Sequence, residues 1–161
     1  MSSTSTLRIE MDQIDFGAIP EPINELLQRG VVAYRSSPAQ AKSWFLQALV
    51  AAPEVLAVYF CLYKIHTYQG NLDAAFAAAE AGLAEAARQA HLAGSIEDWP
   101  APAVADGPSR FALYTLKALA FIELKRGAPR KASALLAQLE RLDPAGHVGW
   151  PVVRDLMHAS A

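Results

Sequence analysis

Between about residues 22 and 158, the apolar positions of the chain fall into units that share one spacing. Small and large apolar residues alternate at steps of three and four, which places them on one face of an α-helix. The positions that carry this pattern are Ala41, Phe45, Ala48 and Leu49, then Ala75, Ala79, Gly82 and Leu83, then Ala132, Leu136 and Leu139. The second copy begins 34 residues after the first, and the third begins 57 residues after the second. A single unit cannot bury its own apolar face, so the pattern predicts helical hairpins that stack on their neighbours.

Prolines and glycines divide this region into separate helices. The first helix is predicted to run from about Pro22 to Arg35, because proline suits the first turn of a helix. The second is expected to begin after Ser37, whose hydroxyl is placed to cap it, and to end near Ala52. Pro53 is then expected to open a third helix, which Gly70 ends in a left-handed turn.

A long helix and an irregular insertion follow. Asn71 is expected to cap a helix that begins at Leu72 and meets no strong breaker before Gly94, so it exceeds the usual length of a repeat helix. Residues 93–108 are predicted to form a non-helical insertion, because three prolines and two glycines fall within them. Ser109 is expected to cap the helix that comes next.

The two ends of the chain differ from the repeats. A short predicted helix, which we expect to cap the last repeat, carries on one face Trp150, Val153 and Met157. Residues 1–19 combine polar residues with isolated apolar ones and are predicted to form a flexible amino-terminal arm. The apolar alternation from Leu7 to Met11 leaves open that the arm docks on the domain or on a second subunit. The predicted domain therefore comprises residues 20–161.

The second unit resembles the tetratricopeptide repeat (TPR) family. The matching residues are Tyr59, Leu62, Tyr63 and His66 on one helix, Gly70, Asn71, Leu72 and Asp73 at the turn, and Ala75, Ala79 and Leu83 on the next helix. The first and third units depart from the family pattern, since the turn of the first is one residue short and Leu139 replaces a small residue. The resemblance implies an all-α fold, a right-handed superhelical stack of three TPR-like helical hairpins plus a carboxy-terminal capping helix. It also implies a concave groove that binds a peptide or partner protein.

In this family the first helix of each hairpin lines the groove, which here would carry cations and aromatic rings. The residues concerned are Arg35, Phe60, Lys64, Tyr68, Tyr114, Lys117, Phe121 and Lys125. Such a surface suits a protein or peptide ligand with acidic and apolar residues. The alternative is that the aromatic rings close the packing between helices and the lysines are merely solvated. Val31 and Ala118 stand where the family's chaperone-tail clamp has polar or charged residues, so that ligand is not expected.

Trp99 is the aromatic residue of the insertion. Next to prolines it forms a rigid candidate anchor, which would fold back into the groove or extend the binding surface. The alternative is that the insertion only covers the end of the long helix.

Composition limits the class of function. The chain has 161 residues, 53% of them apolar, which suffices for one domain with a core. A formal net charge of −2 argues against sequence-independent nucleic-acid binding, and no apolar stretch is long enough to span a membrane. The single cysteine, Cys61, permits no internal disulfide, so a cytoplasmic location is expected. The four histidines are scattered and no phosphate-binding loop is present, so we predict no enzymatic activity, no metal and no cofactor.

Three functions are compatible with these sequence features. The first is a non-catalytic interaction module, and the second is a small dedicated chaperone or assembly factor for one client. The chain also resembles small repeat proteins encoded beside bacterial nitrogen-fixation genes, in its alanine-rich second repeat, the segment Leu116–Phe121 and the tail. This resemblance implies metalloenzyme maturation through protein contacts. The third is a self-associating scaffold, in which Trp44 would lie at the contact of a homodimer.

Overall fold

The computed structural model describes residues 16–101 and 107–159. Over these residues the chain forms seven α-helices and one short 3-10 turn, without any strand. The helices are α1 (Glu21–Ala33), α2 (Pro38–Ala51), α3 (Leu56–Tyr68), α4 (Leu72–Gln89), α5 (Gly107–Lys125), α6 (Pro129–Leu142) and α7 (Trp150–Ala159). The all-α prediction is thereby confirmed for the described part of the chain.

Each helix packs against the next one along the chain. In addition, α3 contacts α5, and α5 contacts α7. These three helices therefore lie side by side and share a surface, while α4 and α6 pack behind them. Side chains from all three helices can therefore line one site on this shared surface.

The core follows the helix order. One buried cluster joins α1, α2 and α3, a second joins α3, α4 and α5, and a third joins the end of α4 with the inserted segment, α5, α6 and α7. The repeated apolar positions supply the contacts of the second helix of each pair, since Ala41, Ala75 and Ala132 are each fully buried. Because these side chains are small, neighbouring helices approach closely at these points.

Gly30 marks the closest approach of two helices. A β-carbon at this position would overlap the ring of Phe45, which is itself 1% exposed and cannot move aside. Gly82 plays a similar part on α4, where a β-carbon would lie 2.7 Å from the Cβ atom of Tyr59. Both glycines are thus required by packing and not by backbone conformation.

Of two predicted helix starts, one is correct in position but lacks its predicted cap, and the other is wrong. The helix α2 begins at Pro38, yet the Ser37 side chain makes no capping hydrogen bond, and its amide donates instead to the carbonyl of Ala33. Pro53 does not open α3, which begins at Leu56. The Pro53 carbonyl accepts a 2.5 Å hydrogen bond from the Tyr59 hydroxyl, so the proline lies in a turn that this tyrosine closes.

The long helix predicted to begin at Leu72 is confirmed as α4, but the predicted cap at its start does not form. Helix α4 has 18 residues, and Gly70 before it has a φ of +77°, in the left-handed region as predicted. The Asn71 side chain makes no capping hydrogen bond. Ser109 does not cap α5 either, because that helix already includes Gly107.

The insertion contains a helical turn that was not predicted. A 3-10 turn occupies Ile96–Asp98, closed by two hydrogen bonds of 3.1 Å from the amide and hydroxyl of Ser95 to the Asp98 carboxylate. The expectation of a wholly non-helical segment is therefore wrong here and at residues 107–108, which belong to α5. Residues 102–106 of the insertion lie outside the described residues.

The predicted amino-terminal arm falls mostly outside the described residues, which begin at Phe16. Phe16 and Ile19 are partly buried against the cluster that joins α1, α2 and α3. The last part of the predicted arm is therefore in contact with the domain.

Candidate functional site

The surface shared by α3, α5 and α7 contains a cavity of about 340 Å³. Its walls are mostly apolar and aromatic, and two lysines, Lys64 and Lys117, are the cationic groups among them. This volume lies at the lower end of the range typical of small-ligand sites. It is large enough to hold a few side chains of a bound segment.

Helices α3 and α5 supply two walls of the cavity at helical spacing. Lys64 and Thr67 on α3 lie three residues apart, and Tyr114, Lys117 and Phe121 on α5 follow steps of three and four. Such steps align side chains along one face of a helix. Helices α3 and α5 thus present these side chains to the same space.

Helix α7 supplies the third wall. Val152 and Leu156 line the cavity one turn apart, and they are 64% and 45% exposed. Apolar side chains left this open to solvent at the edge of a cavity gain free energy when a ligand covers them.

Asp143, at the end of α6, fixes where α7 begins. Its carboxylate accepts hydrogen bonds of 3.0 Å from the backbone amides of His147 and Val148. Its carbonyl oxygen accepts a 2.7 Å hydrogen bond from the indole nitrogen of Trp150. Trp150 and Val153 are both 4% exposed, so α7 is held to the domain by buried contacts as well. The predicted apolar face of this helix is confirmed.

The lysines of the cavity lie against aromatic rings. The Lys117 Nζ atom lies 4.3 Å from the centre of the Tyr114 ring, and the Lys64 Nζ atom lies 5.7 Å from the centre of the Phe60 ring. Burial lowers the pKa of Lys117, and the positive charge of Lys64 lowers it further. Within residues 16–101 and 107–159, no carboxylate forms an ion pair with either lysine. The cavity is therefore an apolar space with an uncompensated positive edge.

A buried hydroxyl borders the same space. Tyr63 lines the cavity and is 1% exposed, and its hydroxyl interacts with the buried Thr115 hydroxyl of α5. Burial raises the pKa of Tyr63 and the interaction with Thr115 lowers it by less, so the phenol stays protonated and able to donate a hydrogen bond.

The structure brings four of the predicted groove residues into this cavity, Lys64, Tyr114, Lys117 and Phe121. Phe60 lies at its border, with its ring centre 5.9 Å from that of Tyr114. These five side chains form one continuous cationic and aromatic surface.

The other three predicted groove residues lie apart from the cavity lining. Arg35 is exposed in the turn after α1. Tyr68, at the end of α3, is 55% exposed and contacts the Tyr34 ring at 5.0 Å between ring centres. Lys125 lies 5.5 Å from the centre of the Phe121 ring and lines a separate hollow beside the turn between α3 and α4.

Trp99 lies in the protein core. Its side chain is 4% exposed and packs within the cluster of α5, α6 and α7. Its carbonyl oxygen accepts a 2.7 Å hydrogen bond from the guanidinium of Arg141, which also donates to the carbonyl of Ile96 at 2.9 Å. Its indole is therefore not presented on the surface.

The residues most often used in catalysis do not converge at the cavity. Cys61 is buried, and burial raises the pKa of its thiol. Burial and the charge of Lys42 lower the pKa of His66, which is half-buried on α3. Within the described ranges, no group of three His, Cys, Asp or Glu residues is arranged to hold a metal ion.

The sequence pattern did not identify the residues of α7 as part of the site. Val152 and Leu156 stand four residues apart, beside the face that packs. Their apolar character outside the packing face was the available signal. Trp44, the predicted outward contact, is half-buried, and the Arg29 guanidinium lies 5.1 Å from the centre of its ring.

The fold and the site define an all-helical protein with a cationic, apolar cavity between three neighbouring helices. No family model matches the chain, and comparisons with curated proteins and with solved structures find no match either. None of the described helices combines the length and the apolarity needed to cross a membrane.

Proposed function

We propose that the protein is a non-catalytic interaction module that binds a peptide or partner segment with acidic and apolar residues. The segment would lie in the cavity between α3, α5 and α7. The observation that carries this proposal is Lys117, a partly buried cation beside an open apolar cavity, without a carboxylate partner among the described residues. A carboxylate brought by a ligand would restore the favourable environment that burial removes from this lysine.

We propose a right-handed superhelical stack of three TPR-like hairpins, α1–α2, α3–α4 and α5–α6, capped by α7. The contacts of α3 with α5 and of α5 with α7 support it, because first helices of neighbouring hairpins meet in such a stack. The buried small residues Ala41, Ala75 and Ala132 support it as well. The single free thiol of Cys61 is compatible with a reducing, cytoplasmic location.

The charges and the apolar walls are expected to act together. The lysines would speed up the encounter with an acidic segment and set its orientation, whereas the buried apolar side chains would supply most of the affinity. Cations that already contact aromatic rings also lose little side-chain freedom on binding, which favours affinity.

A direct test uses short fluorescein-labelled peptides in which leucine alternates with aspartate, and a second set in which lysine replaces aspartate. Fluorescence anisotropy should show saturable binding of the acidic set and none of the basic set. The Lys64→Glu, Lys117→Glu double variant should lose the binding of the acidic set. The matched control is Arg130→Glu, Lys131→Glu, which changes the net charge equally at two exposed positions of α6.

Circular dichroism establishes that both variants are folded. Equal binding by the groove variant and the control would overturn the proposal, because it would mean that only the overall charge matters. Equal binding of acidic and basic peptides would overturn it too.

A further inference from the structure

A second hollow, of about 420 Å³, adjoins the cavity at its α3 and α5 walls. Phe16, Phe60 and Tyr114 line it, together with Arg110 near the start of α5. Tyr114 lines both spaces, and its ring contacts that of Phe60. The two hollows therefore form neighbouring parts of one surface, with Phe16 at one side of it.

Phe16 is also the first described residue of the chain. The fifteen residues before it therefore start from the edge of this surface. An extended chain advances about 3.3 Å per residue, so ten residues reach about 33 Å. Neighbouring helix axes lie about 8–10 Å apart, so this length is enough to cross α3, α5 and α7.

The sequence of these fifteen residues complements the surface. They contain Glu10, Asp12 and Asp15 against one cation, Arg8. Their apolar side chains alternate with the charged ones over the segment Leu7–Met11. The surface opposite offers Lys64, Lys117 and Arg110 among apolar and aromatic walls.

We propose that residues 5–15 occupy the cavity of their own chain, as an internal ligand that an external partner has to displace. The carboxylates of Glu10 and Asp12 would pair with Lys64 and Lys117, and the apolar side chains between them would cover the walls. This inference rests on the proposed function, since it assumes that the cavity accepts acidic and apolar segments. In the free protein the arm would occupy the cavity and thereby regulate the access of a partner to it.

The covalent connection makes such an occupant effective even when its own contacts are weak. A segment joined by a short linker has an effective concentration in the millimolar range. A partner that binds only the open cavity has its apparent affinity reduced by the fraction of chains that are open. Any event that removes the arm would raise the affinity for the partner without changing the cavity.

The test places a nitroxide spin label on a Ser5→Cys variant of the full chain. The native Cys61 reacts slowly because it is buried and its pKa is raised, and mass spectrometry counts the labels attached. NMR spectra of the isotope-labelled chain are recorded with the nitroxide oxidised and then reduced. Backbone amide signals close to the oxidised, paramagnetic label are broadened. The expected result is strong broadening at Lys117 and Val152 and none at Gln47 on α2.

The matched control carries Glu10→Lys and Asp12→Lys in the same labelled chain. It should lose the broadening at the cavity and bind the acidic peptide several-fold more tightly than the wild-type chain. Broadening that persists in this control would overturn the inference, since the contact would not depend on the acidic residues. Absence of broadening at the cavity in the unmodified arm would overturn it directly.

A mixture of isotope-labelled chains and spin-labelled chains distinguishes binding of the arm to a second copy from binding within its own chain. Broadening in the mixture would mean that the arm binds a second copy, which contradicts an internal ligand. A chain that binds the acidic peptide but shows no arm signal refutes only this inference and leaves the proposed function intact. A chain that binds no peptide even with the reversed arm refutes the proposed function.

Discussion

The indole nitrogen of Trp150 donates a 2.7 Å hydrogen bond to the backbone carbonyl of Asp143. The carboxylate of the same aspartate accepts the amides of His147 and Val148. One buried residue thus organises the whole connection from α6 to α7. Since α7 forms a wall of the cavity, this connection is part of the site although it touches no ligand.

Asp143→Ala is expected to lower the free energy of unfolding by about 1.5–3 kcal/mol, because two amides lose a charged acceptor and one of them is buried. Binding of the acidic peptide should weaken as well, since the α7 wall is no longer fixed. Urea unfolding and anisotropy measure the two effects. Asp155→Ala is the control, because Asp155 is exposed and its ion pair with Arg154, at 3.8 Å, contributes little. Similar losses in both variants would contradict the role given to Asp143.

Binding of the acidic peptide is expected to weaken at alkaline pH, and to do so at a lower pH than an ordinary lysine would cause. The reason is the lowered pKa of Lys117, which loses its proton, and with it the charge that attracts the peptide, before other lysines do. Anisotropy titrations across the alkaline range measure this change. In Lys117→Arg the charge persists at these pH values, so the curve should be flatter. Identical curves for the two proteins would exclude Lys117 as the titrating group.

Gly30→Ala is expected to destabilise the fold by about 1–3 kcal/mol, because the added methyl group overlaps the buried Phe45 ring. This outcome is opposite to the stabilisation that alanine normally brings within a helix. Urea unfolding of Gly30→Ala, Phe45→Leu and the double variant tests the cause. In the double variant the alanine should cost less, since the smaller side chain leaves room for it. Additive losses would contradict a direct clash between these two positions.

The helices were predictable because their signals are local. The spacing of Ala75 and Ala79, the left-handed Gly70 and the length of α4 follow from residues close together in the sequence. The helix caps were less predictable, since a serine or asparagine such as Ser37 or Asn71 can occupy a capping position without forming the bond. Whether it does so depends on side-chain rotamer and on competing partners.

The burial of Trp99 could not be predicted from the residues around it. Prolines beside an aromatic residue describe a rigid segment equally well on the surface or in the core. The choice depends on residues distant in the sequence, which form the cluster around the indole and include Arg141, 42 residues later, whose guanidinium donates a 2.7 Å hydrogen bond to the Trp99 carbonyl. No feature of the insertion alone contains this contact.

By itself, the sequence determined that this chain is helical, where most helices lie, and that Lys64, Tyr114, Lys117 and Phe121 share the non-core faces of two helices. Those properties follow from the period of the α-helix, which acts over a few residues. The tertiary structure decided that these faces meet in one cavity and that α7 closes it. It did so because helix packing and the buried hydrogen bonds of Asp143 join segments that are distant in the sequence.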